Sequence, residues 1–142
     1  MNWEFIEKYL PMYEKAALLT VKIGIVGILF AILVGLICAA VQYYKVPVLR
    51  WIVTVYVELS RNTPLLVQLY IVYYQLHFIP WPEGSILGVE LARVMPCILA
   101  LSMNSTAYVA EVIRSGIQAV DFGQTEAALS CGMTRTQAMV NI

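Results

Sequence analysis

Charged residues and histidine are scarce in this sequence. Its 142 residues include nine Lys or Arg, nine Asp or Glu and a single histidine, and the formal net charge is zero. A neutral chain lacks the basic surface that nucleic acid binding requires, so we expect no nucleic acid partner. We find no convergent set of acid, base, nucleophile or metal ligands. We therefore expect no enzyme, no metal site and no bound cofactor.

Cysteine is also sparse. Cys38, Cys97 and Cys131 show no CxxC or Cys/His spacing typical of a metal site, and we predict that all three are small packing residues. The N-terminal region lacks the basic stretch and the small-residue cleavage site of a signal peptide, which predicts that the first apolar segment is a retained anchor.

Apolar residues, in contrast, make up 61% of the chain, and the mean hydropathy is +0.76. One soluble domain of this length could not bury so much apolar surface, so we expect membrane lipid to surround it. The sequence predicts an all-α, polytopic transmembrane helical bundle. Its expected parts are an amphipathic N-terminal segment (1–17), a transmembrane region (18–120) with spans at about 20–42, 52–79 and 94–114, and a polar segment (121–142).

The first span is defined by the distance between two lysines. Lys22 and Lys45 enclose 22 uncharged residues, enough for a helix to cross a hydrocarbon core of roughly 30 Å. Small residues recur there at every fourth position, on one face of the helix: Gly27, Ala31, Gly35 and Ala39. This spacing predicts a seam along which a second helix packs closely.

The second apolar region is interrupted by the polar sequence ELSRNTP at 58–64. Thr63 can serve as an N-cap and Pro64 as the first helical residue, so a new helix is predicted to begin there. The residues before the interruption would form an interfacial helix or a bent continuation. Glu58 and Arg61, three positions apart, could pair on one face. A gating role and a purely structural role remain open for these four residues.

Two prolines, two glycines and Trp81 within 77–93 predict a loop with an aromatic anchor at the membrane surface. His77 has no second ligand nearby in the sequence, so we interpret it as an interfacial residue.

The third span carries polar residues on one face. Asn104, Tyr108, Glu111 and Ser115 lie within about 60° of each other at 100° per residue. Such groups are costly against lipid, so this face should meet the bundle interior, a partner subunit or a water-filled path. The pattern fits an interhelical hydrogen-bond seam as well as a substrate pathway formed by Asn104, Tyr108 and Glu111.

Two short capped helices are predicted in the polar segment. Asp121 with Gln124, and Thr134 with Gln137, each match the capping-box pattern. Gly132 between them can take the left-handed conformation that ends the first helix. Ala127 and Ala128 would keep the surface of that helix thin enough for close contact with another protein.

A helix-turn-helix DNA reader on a membrane anchor shares this pattern. Its recognition helix would offer Arg135 as its single cation. DNA binding normally uses several phosphate contacts, so we reject this alternative.

Three segments together resemble one protein family. They are ELSRNTPLLVQLYIVYYQL at 58–76, NSTAYVAEVIRSGIQAV at 104–120 and GQTEAALSCGMT at 123–134. Their order and spacing resemble the inner-membrane permease subunit of polar-amino-acid ABC importers, over about residues 15–142. The last segment resembles the EAA loop that defines binding-protein-dependent permeases.

The resemblance implies a multi-pass subunit of the prokaryotic plasma (inner) membrane. Such a subunit works with a second permease subunit, as a homodimer or heterodimer, with ABC ATPase subunits, and with an extracytoplasmic solute-binding protein. By this resemblance Glu126, Ala127, Ala128 and Gly132 belong to the coupling helix that docks on the ATPase, and transport proceeds by alternating access. The sequence contains no GxxxxGK[ST] phosphate loop, which agrees with a transporter subunit that lacks its own ATP-binding motif.

The resemblance also gives a topology: the N-terminus and 79–93 outside, 43–50 and the coupling segment inside. In the family the EAA pattern continues to a Leu-Pro pair and further spans. We therefore expect that later spans are missing, that 121–142 is a partial EAA loop, and that this chain cannot transport alone. A small structural or channel-like helical membrane protein is the alternative.

Overall fold

The computed structural model describes residues 3–76, 78–79, 84–86 and 89–142. Its helices are α1 (Trp3–Tyr43), α2 (Leu49–Arg61), α3 (Leu65–Leu76), α4 (Leu91–Ala119), α5 (Phe122–Ser130) and α6 (Arg135–Asn141). Two strands of two residues each, β1 (Ser85–Ile86) and β2 (Val89–Glu90), pair antiparallel before α4. The predicted all-α class is confirmed. His77 and Trp81, for which we predicted interfacial roles, lie outside the described residues.

The amphipathic N-terminal segment is not a separate element. α1 runs without interruption through the boundary predicted at residue 17, and it includes Pro11. Residues 12–17 are MYEKAA, which contains no glycine and no strong cap, so extending the helix costs less than ending it. At 41 residues, α1 is about 60 Å long, roughly twice the thickness of a hydrocarbon core.

The predicted small-residue seam of α1 is confirmed. Its four residues are buried, and they face α4. A β carbon added to Gly27 would lie 2.9 Å from Cδ2 of Leu101, and one added to Gly35 would lie 2.7 Å from Cγ1 of Val109. The two helices approach closely because these positions of α1 have no side chain.

The same contacts fix the direction of the two helices. Position 27 of α1 meets position 101 of α4, and position 35 meets 109, so α1 and α4 run parallel. The chain between them must return along the bundle. α2 and α3 together, with 13 and 12 residues, supply about 38 Å of helix for this return.

The middle span is divided. α1 and α4 each contain a stretch long and apolar enough to cross a membrane, at Glu7–Tyr43 and Ala92–Ala119, whereas α3 is a shorter apolar helix. The expectation of a helix break in 52–79, with a new helix after it, is confirmed. Pro64 has no backbone N–H, so it interrupts the helical hydrogen bonds at this point.

The surface and the core differ as expected for a membrane protein. Large apolar side chains on the outer face of α1 are exposed, with Leu33 66% exposed, while a small core joins α1, α2 and α4 at Cys38, Val57, Ala107 and Ala110. Cys38 is thus a packing residue as predicted, Cys97 is partly buried, and Cys131 is exposed, so the packing prediction is wrong for Cys131. It lies at the end of α5, where the chain leaves the helix.

Candidate functional site

The break between α2 and α3 is held by Thr63, but not in the predicted manner. Its hydroxyl donates to the backbone carbonyl of Leu59 over 2.7 Å, so it satisfies the end of α2 rather than the start of α3. The carbonyl of Pro64 accepts from the backbone N–H of Gln68 over 3.2 Å. Pro64 therefore stands at the N-cap of α3, one residue before the predicted position.

Gln68 connects this break to α4. Its amide nitrogen donates to the Ser60 carbonyl over 2.8 Å and to the Thr63 hydroxyl over 2.6 Å. Its amide oxygen lies 3.5 Å from the Ser60 hydroxyl and 3.4 Å from the Asn104 amide nitrogen. We call Ser60, Thr63, Gln68 and Asn104 the amide network. Sequence reasoning missed Gln68, although a glutamine inside the apolar run LLVQLYIVYYQL was a signal of a polar contact between helices.

The first part of the polar stripe of α4 faces α2 and α3. Asn104 is buried in the amide network. The ring centre of Tyr108 lies 5.9 Å from the guanidinium carbon of Arg61, within the range of a cation–π contact. Tyr108 remains about half exposed, and Ser115 is exposed. The expectation that this face meets the bundle interior is confirmed for its first part.

Arg61 pairs across the helices instead of along α2. Its guanidinium lies 3.8 Å from the carboxylate of Glu111, and Arg114 binds the same carboxylate at 2.6 and 3.1 Å. In the described part of the chain, Glu58 and Arg61 do not form the ion pair that we predicted. Because α4 packs against α2, Glu111 lies near Arg61. Glu111 is more strongly shielded from solvent than the exposed Glu58, so its attraction to Arg61 is screened less.

We call Arg61, Glu111 and Arg114 the charge triad. They line a cavity of about 430 Å³ between the end of α1, α2 and α4. Glu58 lines it as well. Cavity and triad lie about two to three helical turns beyond the amide network along α4, because Glu111 and Arg114 follow Asn104 in the same helix. The network and the triad are thus two separate polar attachments of α2 and α3 to α4.

Two capped helices do meet at Gly132. The Thr134 hydroxyl accepts from the Gln137 N–H over 3.3 Å, and the Gln137 amide oxygen accepts from the Thr134 N–H over 2.8 Å. The second predicted capping box is therefore confirmed. At the first predicted capping box, the Asp121 carboxylate accepts from the backbone N–H of Gly123 over 2.7 Å. Asp121 is an N-cap, but the reciprocal box with Gln124 is wrong, since the short Asp side chain binds the second N–H of the helix.

Gly132 ends α5 as predicted. Its φ is +84°, its N–H donates to the Leu129 carbonyl over 3.0 Å, and the next N–H, of Met133, donates to the Ala128 carbonyl over 3.1 Å. This is the Schellman arrangement. We call residues 121–142 the helical hairpin.

The proposed contact residues of the hairpin differ in exposure. Glu126 and Ala127 are exposed, but Ala128 is buried, as is Ala138 of α6. Ala128 therefore keeps α5 and α6 close together. Exposed apolar side chains of the hairpin include Phe122 and Val140, at 75% and 79%.

The hairpin follows directly on α4 and meets the end of α1 at a few side chains. A second cavity, of about 880 Å³, lies between it, Tyr43 of α1 and the end of α4. The Tyr44 hydroxyl lies 3.9 Å from the sulfur of Met139. Only Val120 and Asp121 separate α4 from α5, so the hairpin stays beside the end of α4.

Comparison with known proteins agrees with this architecture. Residues 31–142 match the family described as "Binding-protein-dependent transport system inner membrane component". The chain is 38% identical over 138 residues to the "Probable amino-acid permease protein YxeN" of Bacillus subtilis (strain 168), covering 97% of this chain and 59% of the relative. It is 34% identical over 138 residues to the "Probable amino-acid ABC transporter permease protein PatM" of Vibrio harveyi, covering 97% and 60%.

A solved structure is similar as well. A crystal structure of an amino acid ABC transporter with histidines superposes with a TM-score of 0.69 at 36% identity, covering 92% of this chain and 60% of that one. The chain thus spans about 60% of the length of the relatives it matches.

Proposed function

This chain belongs to the family of binding-protein-dependent transport system inner membrane components, and we propose that it acts as the transmembrane permease subunit of an ATP-driven importer of polar amino acids. Family membership implies an inner-membrane location and a transporter subunit rather than an enzyme. The amino-acid class follows from what its relatives are named for. Alternating access, driven by a separate ATPase, is the proposed mechanism.

The observation that carries the proposal is the helical hairpin. It is fixed by Asp121, by the Schellman turn at Gly132 and by the capping box at Thr134, so it can transmit force without unwinding. Glu126, Ala127, Ala128 and Gly132 are the proposed coupling residues. Glu126 and Ala127 would contact the ATPase directly, whereas Ala128 and Gly132 maintain the shape that presents them.

A continuous route leads from the hairpin into the bundle. The short connection at 120–121 ties the hairpin to α4, and the glycine seam ties α4 to α1. The amide network and the charge triad tie α4 to the break between α2 and α3. Motion of the hairpin would therefore move α4 and act on that break.

This route supports a gating role for the break. Thr63 and Pro64 form it, Arg61 attaches it to α4, and Glu58 lies in the adjoining cavity. The proposed substrate pathway comprises Asn104, Tyr108 and Glu111. Asn104 would hold the pathway wall in place through Gln68, while Tyr108, which is half exposed, would be available to contact substrate.

The remaining parts of the proposal concern topology and partners. Parallel α1 and α4, joined by the returning α2 and α3, support three crossings with 43–50 and the hairpin on one side, proposed to be cytoplasmic. The proposed partners are two ABC ATPase subunits on that side, a second permease subunit beside this one, and an extracytoplasmic solute-binding protein. The exposed apolar face of α1 would meet lipid or the second subunit.

Co-purification tests the coupling. The chain is co-expressed with the ABC ATPase subunits of its host, and we expect association that Glu126→Lys and Gly132→Pro abolish. Glu14→Lys reverses an exposed charge on α1, far along the chain from the hairpin, and should leave association unchanged. Equal association of all four proteins would refute the coupling assignment.

A further inference from the structure

Basic side chains converge on the cavity between α1, α2 and α4. Four of the nine basic residues of the chain line its volume of about 430 Å³: Lys45, Arg50, Arg61 and Arg114. Two carboxylates, Glu58 and Glu111, line it as well, so the cavity holds an excess of two positive charges. A concave site with this excess favours an anionic ligand.

Two of the four cations are available to such a ligand. Glu111 already binds Arg114 and lies 3.8 Å from Arg61. Lys45 and Arg50 form no ion pair within the described part of the chain, and both are exposed. They stand in the turn after α1 and at the start of α2.

The wall of the cavity contains a buried hydrogen-bond acceptor. The side-chain carbonyl oxygen of Gln42 is buried and has no hydrogen-bond partner in the described part of the chain, and Gln42 lines the same cavity. A buried acceptor without a partner costs free energy, so a ligand that supplies a donor is favoured there. Inorganic anions that carry only acceptors do not satisfy it.

The residues next to Lys45 and Arg50 are apolar and exposed. Val48 and Trp51 are 73% and 71% exposed, and Leu49 and Ile52 are about half exposed. A ligand that bound at the two cations would therefore meet apolar surface beside its anionic group. An amphiphile with a phosphate, a hydroxylated headgroup and acyl chains matches all three features.

We propose that this cavity binds the headgroup of an anionic phospholipid, with its phosphate at Lys45 and Arg50, its headgroup hydroxyl at Gln42 and its acyl chains along the exposed apolar side chains. Basic pockets between transmembrane helices on the cytoplasmic side are recognised sites for anionic headgroups. The cytoplasmic position of the cavity rests on the proposed function, whereas the binding chemistry does not. A free phosphate or a free amino acid would use only part of the site.

Native mass spectrometry of the full chain in detergent tests the proposal. The probes are phosphatidylglycerol and phosphatidylcholine with identical acyl chains. We expect one tightly bound phosphatidylglycerol, and about thirty-fold weaker binding to Lys45→Ala/Arg50→Ala, because each basic residue near an anionic headgroup contributes about fivefold in affinity. Lys45→Arg/Arg50→Lys keeps both charges and should bind like the unchanged chain.

The matched control removes two exposed cations elsewhere. Lys15→Ala/Lys22→Ala, on the first half of α1, should change phosphatidylglycerol affinity less than twofold. Equal losses in the two alanine variants, equal affinity for phosphatidylcholine, or displacement of the lipid by millimolar phosphate or L-glutamine would each overturn the proposal. Lipid binding without co-purification of an ATPase would refute the importer and leave the lipid site standing.

Discussion

The side-chain amide of Asn104 donates to that of Gln68 across 3.4 Å, and this contact joins α4 to the break between α2 and α3. Because Gln68 also donates to Ser60 and Thr63, one side chain organises the end of one helix and the start of the next. A break in an apolar stretch leaves backbone groups unpaired, and in a membrane these groups must be satisfied from within the protein. The amide network supplies hydrogen-bond partners for backbone groups at this break.

Gln68→Ala tests the importance of the network. We expect a destabilisation of about 1–3 kcal/mol, because the substitution leaves the buried Asn104 amide nitrogen without its partner and removes the shorter of the two hydrogen bonds to the Ser60 carbonyl. The apparent melting temperature in detergent measures it. Gln75→Ala, an exposed position of the same helix, is the control and should have little effect. Similar melting temperatures for the two variants would contradict the network.

Gly35→Ala tests the seam between α1 and α4. Its added β carbon would lie 2.7 Å from Cγ1 of Val109 and 3.3 Å from the backbone nitrogen of Ala110, and backbone cannot move aside cheaply. We expect a loss of about 1–3 kcal/mol from overpacking. Gly24→Ala, where nothing lies within 4 Å, should be neutral or stabilising by up to about 1 kcal/mol. Thermal unfolding of the two variants in one detergent gives the comparison, and an undamaged Gly35→Ala protein would exclude close packing here.

Glu111→Gln tests the charge triad. Arg61 and Arg114 both lose their partner, so we expect a destabilisation of about 1 kcal/mol, as for a partly exposed pair that is only modestly shielded. Glu58→Gln removes a carboxylate that has no ion pair within the described residues and should change stability by less. The melting temperature of Glu111→Gln should also depend less on salt concentration than that of the unchanged chain. If Glu58→Gln is the more damaging variant, the pairing along α2 predicted from the sequence is correct after all.

The sequence was informative where the structure depends on local or periodic features. The repeat of small residues from Gly27 to Ala39, the glycine turn at 132 and the Thr134 cap each follow from a rule that links neighbouring positions. Glu111 lies 50 residues from Arg61 and Asn104 lies 36 residues from Gln68, and no spacing rule connects either pair before α4 packs on α2 and α3. Ala128 illustrates the same limit: its small size is visible in the sequence, but the direction of its side chain depends on where α6 folds back.

Gly132→Ala tests whether the hairpin depends on the left-handed turn. At φ +84° an alanine is strained, so we expect about 1 kcal/mol of local destabilisation. Nothing lies within 4 Å of a β carbon built there, which means that the cost comes from the backbone and not from a clash. Hydrogen exchange in this variant should then accelerate at the N–H groups of residues 132 and 133 and through α6, because both turn hydrogen bonds depend on this conformation. Gly116→Ala, in helical backbone with equally open surroundings, should instead slow exchange at the end of α4. If exchange in residues 131–141 is unchanged by Gly132→Ala, the hairpin is held by its contacts with the bundle rather than by its turn.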